Sequence, residues 1–191
     1  TENYLSEPLA GKIAFHIMRR IQSELNLTAS AGVGPNKFIA KVASDLKKPN
    51  GCTIIPPNKV ADFVATLAIE KMWSVGPSTA KKLHEMQVHT GADLRSQELA
   101  TLMSRFGKQG RFLYGLARGE DYRPVQTNRV PKSRAAETTF ASDILEVDEL
   151  LDVLEELCGR VEDSLQKIDR SGRTVTLKVR YSDFTTFNRS R

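Results

Sequence analysis

Between Pro56 and Gly119 no apolar pattern runs far before a turn residue stops it. Helical periodicities cover 59–67, 79–86, 92–95, 98–106 and 109–118, and Gly76-Pro77, Gly91 and Gly107 punctuate them. Strand signal is nearly absent. Helices this short are marginal alone, so they must be held by packing on one another. The stretch therefore predicts a small all-helical domain.

The flanks have a different character. Leu9, Ile13, Ile17, Ile21 and Leu25 recur at every fourth position, with Lys12, Arg19 and Arg20 off that stripe, which predicts an amphipathic helix over 8–25. Residues 27–33 read as a short strand entering a turn at Gly34-Pro35. Asn36 is placed to cap a helix over 37–46 whose face is Phe38, Ile39, Val42 and Leu46. Lys48-Pro49-Asn50-Gly51 ends that helix, and 52–55 form a brief strand.

Past the helical stretch, 120–132 is polar and basic with Pro124 and Pro131, and reads as an extended tether. Then follow a strand over 133–140, a long amphipathic helix over 147–168 and an alternating strand over 174–187. Val175, Leu177, Val179 and Tyr181 share one face of that last strand, which has no partner before the chain ends at Arg191. A strand–helix–strand unit needs further strands to bury its sheet. This, and the lack of an initiator Met at Thr1, leads us to expect a piece of a longer protein. The expected class is α+β, mainly helical, divided as 1–55, 56–119, 120–132 and 133–191.

With 40% hydrophobic and 27% charged residues, the chain has the balance of a soluble globular protein. No apolar run approaches the ~18 residues of a membrane span, and the N-terminus has no signal pattern. Cys52 and Cys158 are far apart and read as reduced thiols, while His16, His84 and His89 are scattered. The net charge of +5 is unevenly spread. From Arg105 to Arg134 eight cations (Arg105, Lys108, Arg111, Arg118, Arg123, Arg129, Lys132, Arg134) face two carboxylates (Glu120, Asp121), leaving +6. An acidic stretch, 146–156, follows. That asymmetry suggests a local polyanion contact, although charge alone equally fits a solvated face.

Residues 72–83 have the form of a helix-hairpin-helix, a tight hairpin leading into a helix start. Unpaired N–H groups and the helix dipole there suit a phosphate without any base being read. Gly76 allows close approach, Ser78 or Thr79 is placed to cap the helix, and Lys81 and Lys82 add attraction. Ser74 stands where such hairpins usually carry Gly. Taken alone, the motif also fits an ordinary helix corner.

The block from Ser30 to Gly51, with Gly32-Val33-Gly34-Pro35-Asn36-Lys37-Phe38 and the Lys48-Pro49-Asn50-Gly51 exit, resembles the end of the palm domain in Y-family translesion DNA polymerases. The likeness continues through Thr139 and is nearest to the DNA polymerase IV branch. It implies that 1–55 is the C-terminal part of a palm, 56–119 a thumb with the helix-hairpin-helix, 120–132 a linker, and 133–191 part of a β-α-β little finger. Lys48 then reaches the triphosphate of an incoming nucleotide, where a compact ammonium neutralises the leaving pyrophosphate; without the resemblance it reads as a solvated helix-end lysine. Ser74, Val75, Gly76, Thr79 and Lys81 hold the duplex backbone. Gly107 and Lys108 of Arg105-Phe106-Gly107-Lys108-Gln109-Gly110 make a second contact. Lys132, Ser133 and Arg134, before Glu137-x-Thr139, run along the template. Ala135 replaces a common Gly of the family, and Pro131 a common basic residue.

The resemblance further implies error-prone nucleotidyl transfer past damaged template in DNA repair, a mutator activity, in the bacterial cytoplasm at the nucleoid. Its partners are primer–template DNA, a deoxynucleoside triphosphate and a sliding clamp reached through a C-terminal tail beyond this chain; no membrane is implied. Magnesium ions are held in the family by acidic residues that would lie upstream of Thr1. Glu120, Asp121, Asp143, Asp148 and Asp183 read instead as caps or solvated charges, so no catalytic residue and no metal site are expected here, and the piece alone is expected to be inactive. Two other readings are a stand-alone helix-hairpin-helix DNA-binding module and a glycosylase or nuclease. An acidic pair upstream would argue against the first, and the second has only Lys81 and Lys82 beside its hairpin.

Overall fold

The computed structural model describes residues 9–128 and 130–191; readings that involve residues 1–8 or Arg129 lie outside them. The chain divides into two compact units, Thr1–Val125 and Gln126–Arg191.

In the first unit, α1 (Ala10–Leu25) ends on Asn26, whose left-handed backbone (φ 54°) returns its N–H to the Gln22 carbonyl. A parallel pair follows, β1 (Ala31–Val33) and β2 (Cys52–Ile54), joined through α2 (Lys37–Leu46). Ala31 pairs with Cys52, Gly32 with Thr53 and Val33 with Ile54. The strand expected over 27–33 is cut to its last three residues, because β2 offers only three to pair with. A Cβ on Gly32 would lie 2.0 Å from the Ala40 carbonyl oxygen, so α2 rests on β1 only because that side chain is missing. Asn36 caps α2 as expected, its side-chain oxygen accepting from the Ile39 N–H at 3.0 Å.

The helical stretch consists of α3 (Val60–Thr66), α4 (Pro77–Glu85), α5 (Gly91–Ser96), α6 (Leu99–Phe106) and α7 (Lys108–Leu116), with tight 3-10 turns at Pro57–Lys59 and Ile69–Lys71. Thr90 and Asp93 form a reciprocal capping box at α5. Phe38, Ile39 and Val42 of α2 belong to the same core as Val64, Ile69, Leu83, Leu94, Leu102, Leu113 and Leu116. Each such side chain stabilises by about 1.5–3 kcal/mol on burial. The α/β segment and the short helices are thus fastened by one hydrophobic cluster.

Residues 120–125, expected to open an extended tether, are instead held within this unit. The Asp121 side chain is fully buried and accepts from the Phe38 N–H at 3.0 Å. A carboxylate at a helix start satisfies an N–H that the helix leaves over.

In the second unit, α8 (Val147–Gln166) carries Asp148 and Glu149 in its first turn, where the helix dipole favours them. The long strand expected over 174–187 is a hairpin. β3 (Thr176–Arg180) runs antiparallel to β4 (Thr186–Ser190), Val179 facing Phe187. The Asp183 carboxylate accepts from the Thr185 N–H and hydroxyl, both at 2.8 Å, and Phe184 turns left-handed (φ 66°). Such local bonding favours a turn over a continued strand, so the missing partner is the chain itself. Residues 133–140 form no strand; the stretch is tied to β3 by an ion pair from Glu137 to Lys178 at 2.5 Å. Among the described residues of this unit none is buried.

Candidate nucleic-acid interface

The hairpin before α4 is a tight turn closed by Val75 N–H to the Met72 carbonyl at 3.1 Å. Met72 is buried and anchors it. Ser74, two residues into the turn, has φ 73°. That conformation normally calls for Gly, which accounts for the Gly usual at this point of the motif: here Ser adopts it.

Gly76 then precedes Pro77 at the first helical position. No side chain caps α4, so the expected cap from Ser78 or Thr79 does not form. Thr79 turns its hydroxyl to Gln109 (3.4 Å) instead. Among the described residues, the N–H groups of Gly76, Ser78 and Thr79 meet no acceptor. The space facing Gly76 is open, with nothing within 4 Å of where a Cβ would stand. An uncapped, uncovered helix start concentrates partial positive charge outward.

A second helix start stands beside the first. Gly107, left-handed at φ 58°, ends α6 and begins α7, again with no side-chain cap and open space before it. Gln109, in the first turn of α7, donates to the Ser74 carbonyl and the Thr79 hydroxyl, both at 3.4 Å. One side chain therefore ties the Ser74–Thr79 hairpin to the Gly107–Lys108 turn. In the sequence Gln109 reads only as the variable position of its motif.

An open cleft borders α4, lined by Ser78, Lys81, Lys82, Glu85 and Arg105. Arg105 is paired with Glu85 at 2.6 Å. Lys81, Lys82 and Lys108 are exposed, and among the described residues none has a carboxylate partner. Ser78 and Lys82 join the expected site by position.

Much of the basic stretch is structural. Arg118 lies 3.4 Å over the Tyr114 ring and donates to the Tyr114 and Arg95 carbonyls. Arg111 reaches the Met103 sulfur. Arg123 makes two bonds to Asp121, at 2.6 and 2.7 Å, holding that carboxyl below its ordinary range against the opposing effect of burial. Asp121, read as a cap or solvated charge, is a buried ion-pair partner as well as a cap. Lys132, Ser133 and Arg134 lie exposed in the second unit, outside regular structure.

Lys48 follows α2, its ammonium 2.5 Å from the Asp45 carboxylate, which also accepts from Lys41 at 2.7 Å. Lys41 and then Lys48 hold the Asp45 carboxyl down at about 2. A depressed carboxylate contributes stability above its ordinary pKa of 3.8 and loses it as pH falls toward 2; at this exposed site the contribution is small. We expect NMR titration to find Asp45 near that value and Lys48→Met to raise it. An unmoved Asp45 in the variant would dissolve the pair.

His84 and His89, scattered in the sequence, meet at 2.8 Å between their Nδ1 atoms, and His84 Nε2 bonds Glu70. Among the described residues no three His, Cys, Asp or Glu side chains converge as metal ligands, and no helix is long and apolar enough to cross a membrane.

Comparison with known proteins finds three family matches along the chain. Residues 2–45 match the impB/mucB/samB family, 70–121 the DNA polymerase-iota thumb domain, and 131–191 the impB/mucB/samB family C-terminal domain. Over 191 residues the chain is 47% identical to DNA polymerase IV 2 of Agrobacterium fabrum, covering 100% of this chain and 54% of that one. DNA polymerase IV of Streptococcus gordonii is 46% identical over 189 residues, 99% of this chain and 53% of its own. A solved Y-family DNA polymerase chimera superposes with a TM-score of 0.74 at 26% identity, over 94% of this chain and 52% of that one. The chain spans about half the length of the curated relatives it matches. Three family matches in order along the chain, with near-complete coverage by these relatives, lead to one conclusion: the chain belongs to the Y family of DNA polymerases, in the DNA polymerase IV branch.

Proposed function

We propose that this chain is the DNA-gripping portion of a template-directed, error-tolerant DNA polymerase. Residues 1–55 are late palm, 56–119 thumb, 120–132 a linker whose first residues, 120–125, stay fastened to the first unit, and 133–191 part of the little finger. The supporting observation is the pairing of two open helix starts, at Gly76 and Gly107, through Gln109. Two such starts suit successive phosphates of a backbone and read no base. Ser74, Val75, Gly76, Thr79, Lys81, Gly107 and Lys108 form this grip, and in the second unit Lys132, Ser133 and Arg134 meet the template backbone.

Lys48 exchanges its Asp45 partner for the triphosphate of the incoming nucleotide. Magnesium belongs to the whole polymerase in this reading, where it would supply activation of the primer end and neutralisation of the leaving group. The donors among the described residues do not fit it, since no acidic cluster forms. We assign this chain no step through the metal. Its own residues position: they hold the backbone in register and meet the edge of the triphosphate.

Fluorescence anisotropy with labelled primer–template tests the grip. We expect binding that is indifferent to sequence and falls steeply between about 50 and 200 mM salt. Primer extension by the isolated chain with magnesium should be absent. Sequence-selective, salt-insensitive binding would overturn the grip, and robust extension the assignment of chemistry elsewhere.

A further inference from the structure

Residues 119–124 do more than leave the helical stretch. Their side of α2 is fastened at three consecutive positions. Asn36 donates its side-chain N–H to the Gly119 carbonyl at 2.7 Å, Lys37 donates its ammonium to the Pro124 carbonyl at 3.2 Å, and the Phe38 N–H meets Asp121. Their other side reaches the hairpin. The Arg123 guanidinium lies 3.9 Å from the centre of the Trp73 ring and 5.2 Å from that of Phe112, while Trp73 meets Phe112 edge-on at 5.8 Å. Trp73 is the residue immediately before Ser74.

Asp121 is saturated in this arrangement. One oxygen accepts from Arg123 Nε and N–H, the other from an Arg123 terminal nitrogen and the Phe38 N–H. Arg123 is correspondingly committed, with the carboxylate on its edge and an aromatic ring on its face. A planar guanidinium does both at once, whereas an ammonium cannot. A network closed on a buried carboxylate such as Asp121 is rigid when every member is satisfied.

We infer that the segment Gly119–Pro124 is a strap that presets the phosphate-gripping hairpin against α2, with Asp121 and Arg123 as positioning residues that do not themselves touch DNA. The inference rests on the proposed grip at Gly76. It identifies what holds that hairpin ready before DNA arrives. Preset geometry adds affinity by removing an ordering cost from the binding step. The number of phosphates neutralised in the complex is untouched, because Arg123 is not among the contacts.

The test compares the 191-residue chain with its Arg123→Lys variant, at a temperature where circular dichroism shows both folded. Trp73 is the single tryptophan, so its emission reports directly on the stack. We expect a shift in that emission, a roughly tenfold loss of duplex affinity, about 1.4 kcal/mol, and an unchanged slope of log affinity against log salt. Unchanged affinity beside shifted emission overturns the inference, leaving the strap a purely structural fastening. A slope lowered by about 0.9 also overturns it, since Arg123 would then be a phosphate contact itself. Should Arg123→Lys fail to fold, Trp73→Leu removes the stack and leaves Asp121 on Phe38, and affinity and slope decide in the same way. Failure of the unmodified chain to bind duplex would sink the grip as well, which separates the two outcomes.

Discussion

Replacing Lys81, Lys82 and Lys108 together with alanine is expected to lower the log–log salt slope of duplex binding by about 2.7 and to weaken binding roughly 500-fold at about 0.1 M salt. The magnitude comes from counterion release. Each phosphate neutralised by a lysine contributes about 0.9 to the slope, and so about 0.9 log units of affinity at that salt. These three are the right lysines because they are exposed beside the two open helix starts and free of carboxylate partners among the described residues. The same treatment of Arg111 and Arg118 should leave the slope alone, since those side chains are engaged with Met103, Tyr114 and Arg95. Anisotropy titrations at several salt concentrations read both quantities. A slope that moves with Arg118 and not with the lysines would place the contact face elsewhere.

Gly110→Ala is expected to cost at least about 3 kcal/mol of unfolding free energy, whereas Gly76→Ala should leave stability within about 0.5 kcal/mol. A Cβ on Gly110 would fall 2.1 Å from the Leu102 carbonyl oxygen and 2.4 Å from its carbon. Backbone cannot step aside as a flexible side chain does, so α6 and α7 must part. That opens the core at Leu102, Leu113 and Leu116, each fully buried. It also draws Gln109 away from Ser74 and Thr79, so whatever chain stays folded should bind DNA poorly. Gly76, by contrast, has φ −87° and open space before it. A methyl there strains nothing and can only stand in the way of an incoming phosphate. Denaturant titration compares the two, and a Gly110→Ala midpoint equal to the parent's would show that the helix contact yields more easily than its geometry indicates.

Several local features were legible because they depend on a few neighbouring residues. The cap from Asn36, the separation of short helices at Gly76, Gly91 and Gly107, and the helical face of Phe38, Ile39 and Val42 (though not Leu46, which lies exposed at the helix end) are set by side-chain chemistry within a turn or two. The hairpin motif was legible for the same reason, down to the Ser74 position whose backbone the structure finds left-handed. The strand expected over 174–187 failed because Val175 to Phe187 alternates well enough, while the break is made by Asp183 bonding forward to Thr185. A strand at 133–140 failed because alternation proposes a strand but only a neighbouring edge supplies its hydrogen bonds.

What the residues alone determined was a chain of short helices following an α/β segment, with a tight hairpin before one helix and a surplus of cations after it. Which cations are available was decided by the tertiary structure. Charge counting treats Lys108 and Arg123 alike, since both add one positive charge. Folding brings Asp121, two positions before Arg123, under the start of α2 and Trp73 over the guanidinium, so Arg123 is spent on holding the hairpin. Lys108, exposed and without a carboxylate partner among the described residues, stands in the turn that Gln109 joins to the hairpin. The physical reason is that partner choice depends on distances between residues far apart in the chain: Phe38 and Asp121 are 83 positions apart. No local pattern encodes such a contact, and only the shared core brings its two ends together.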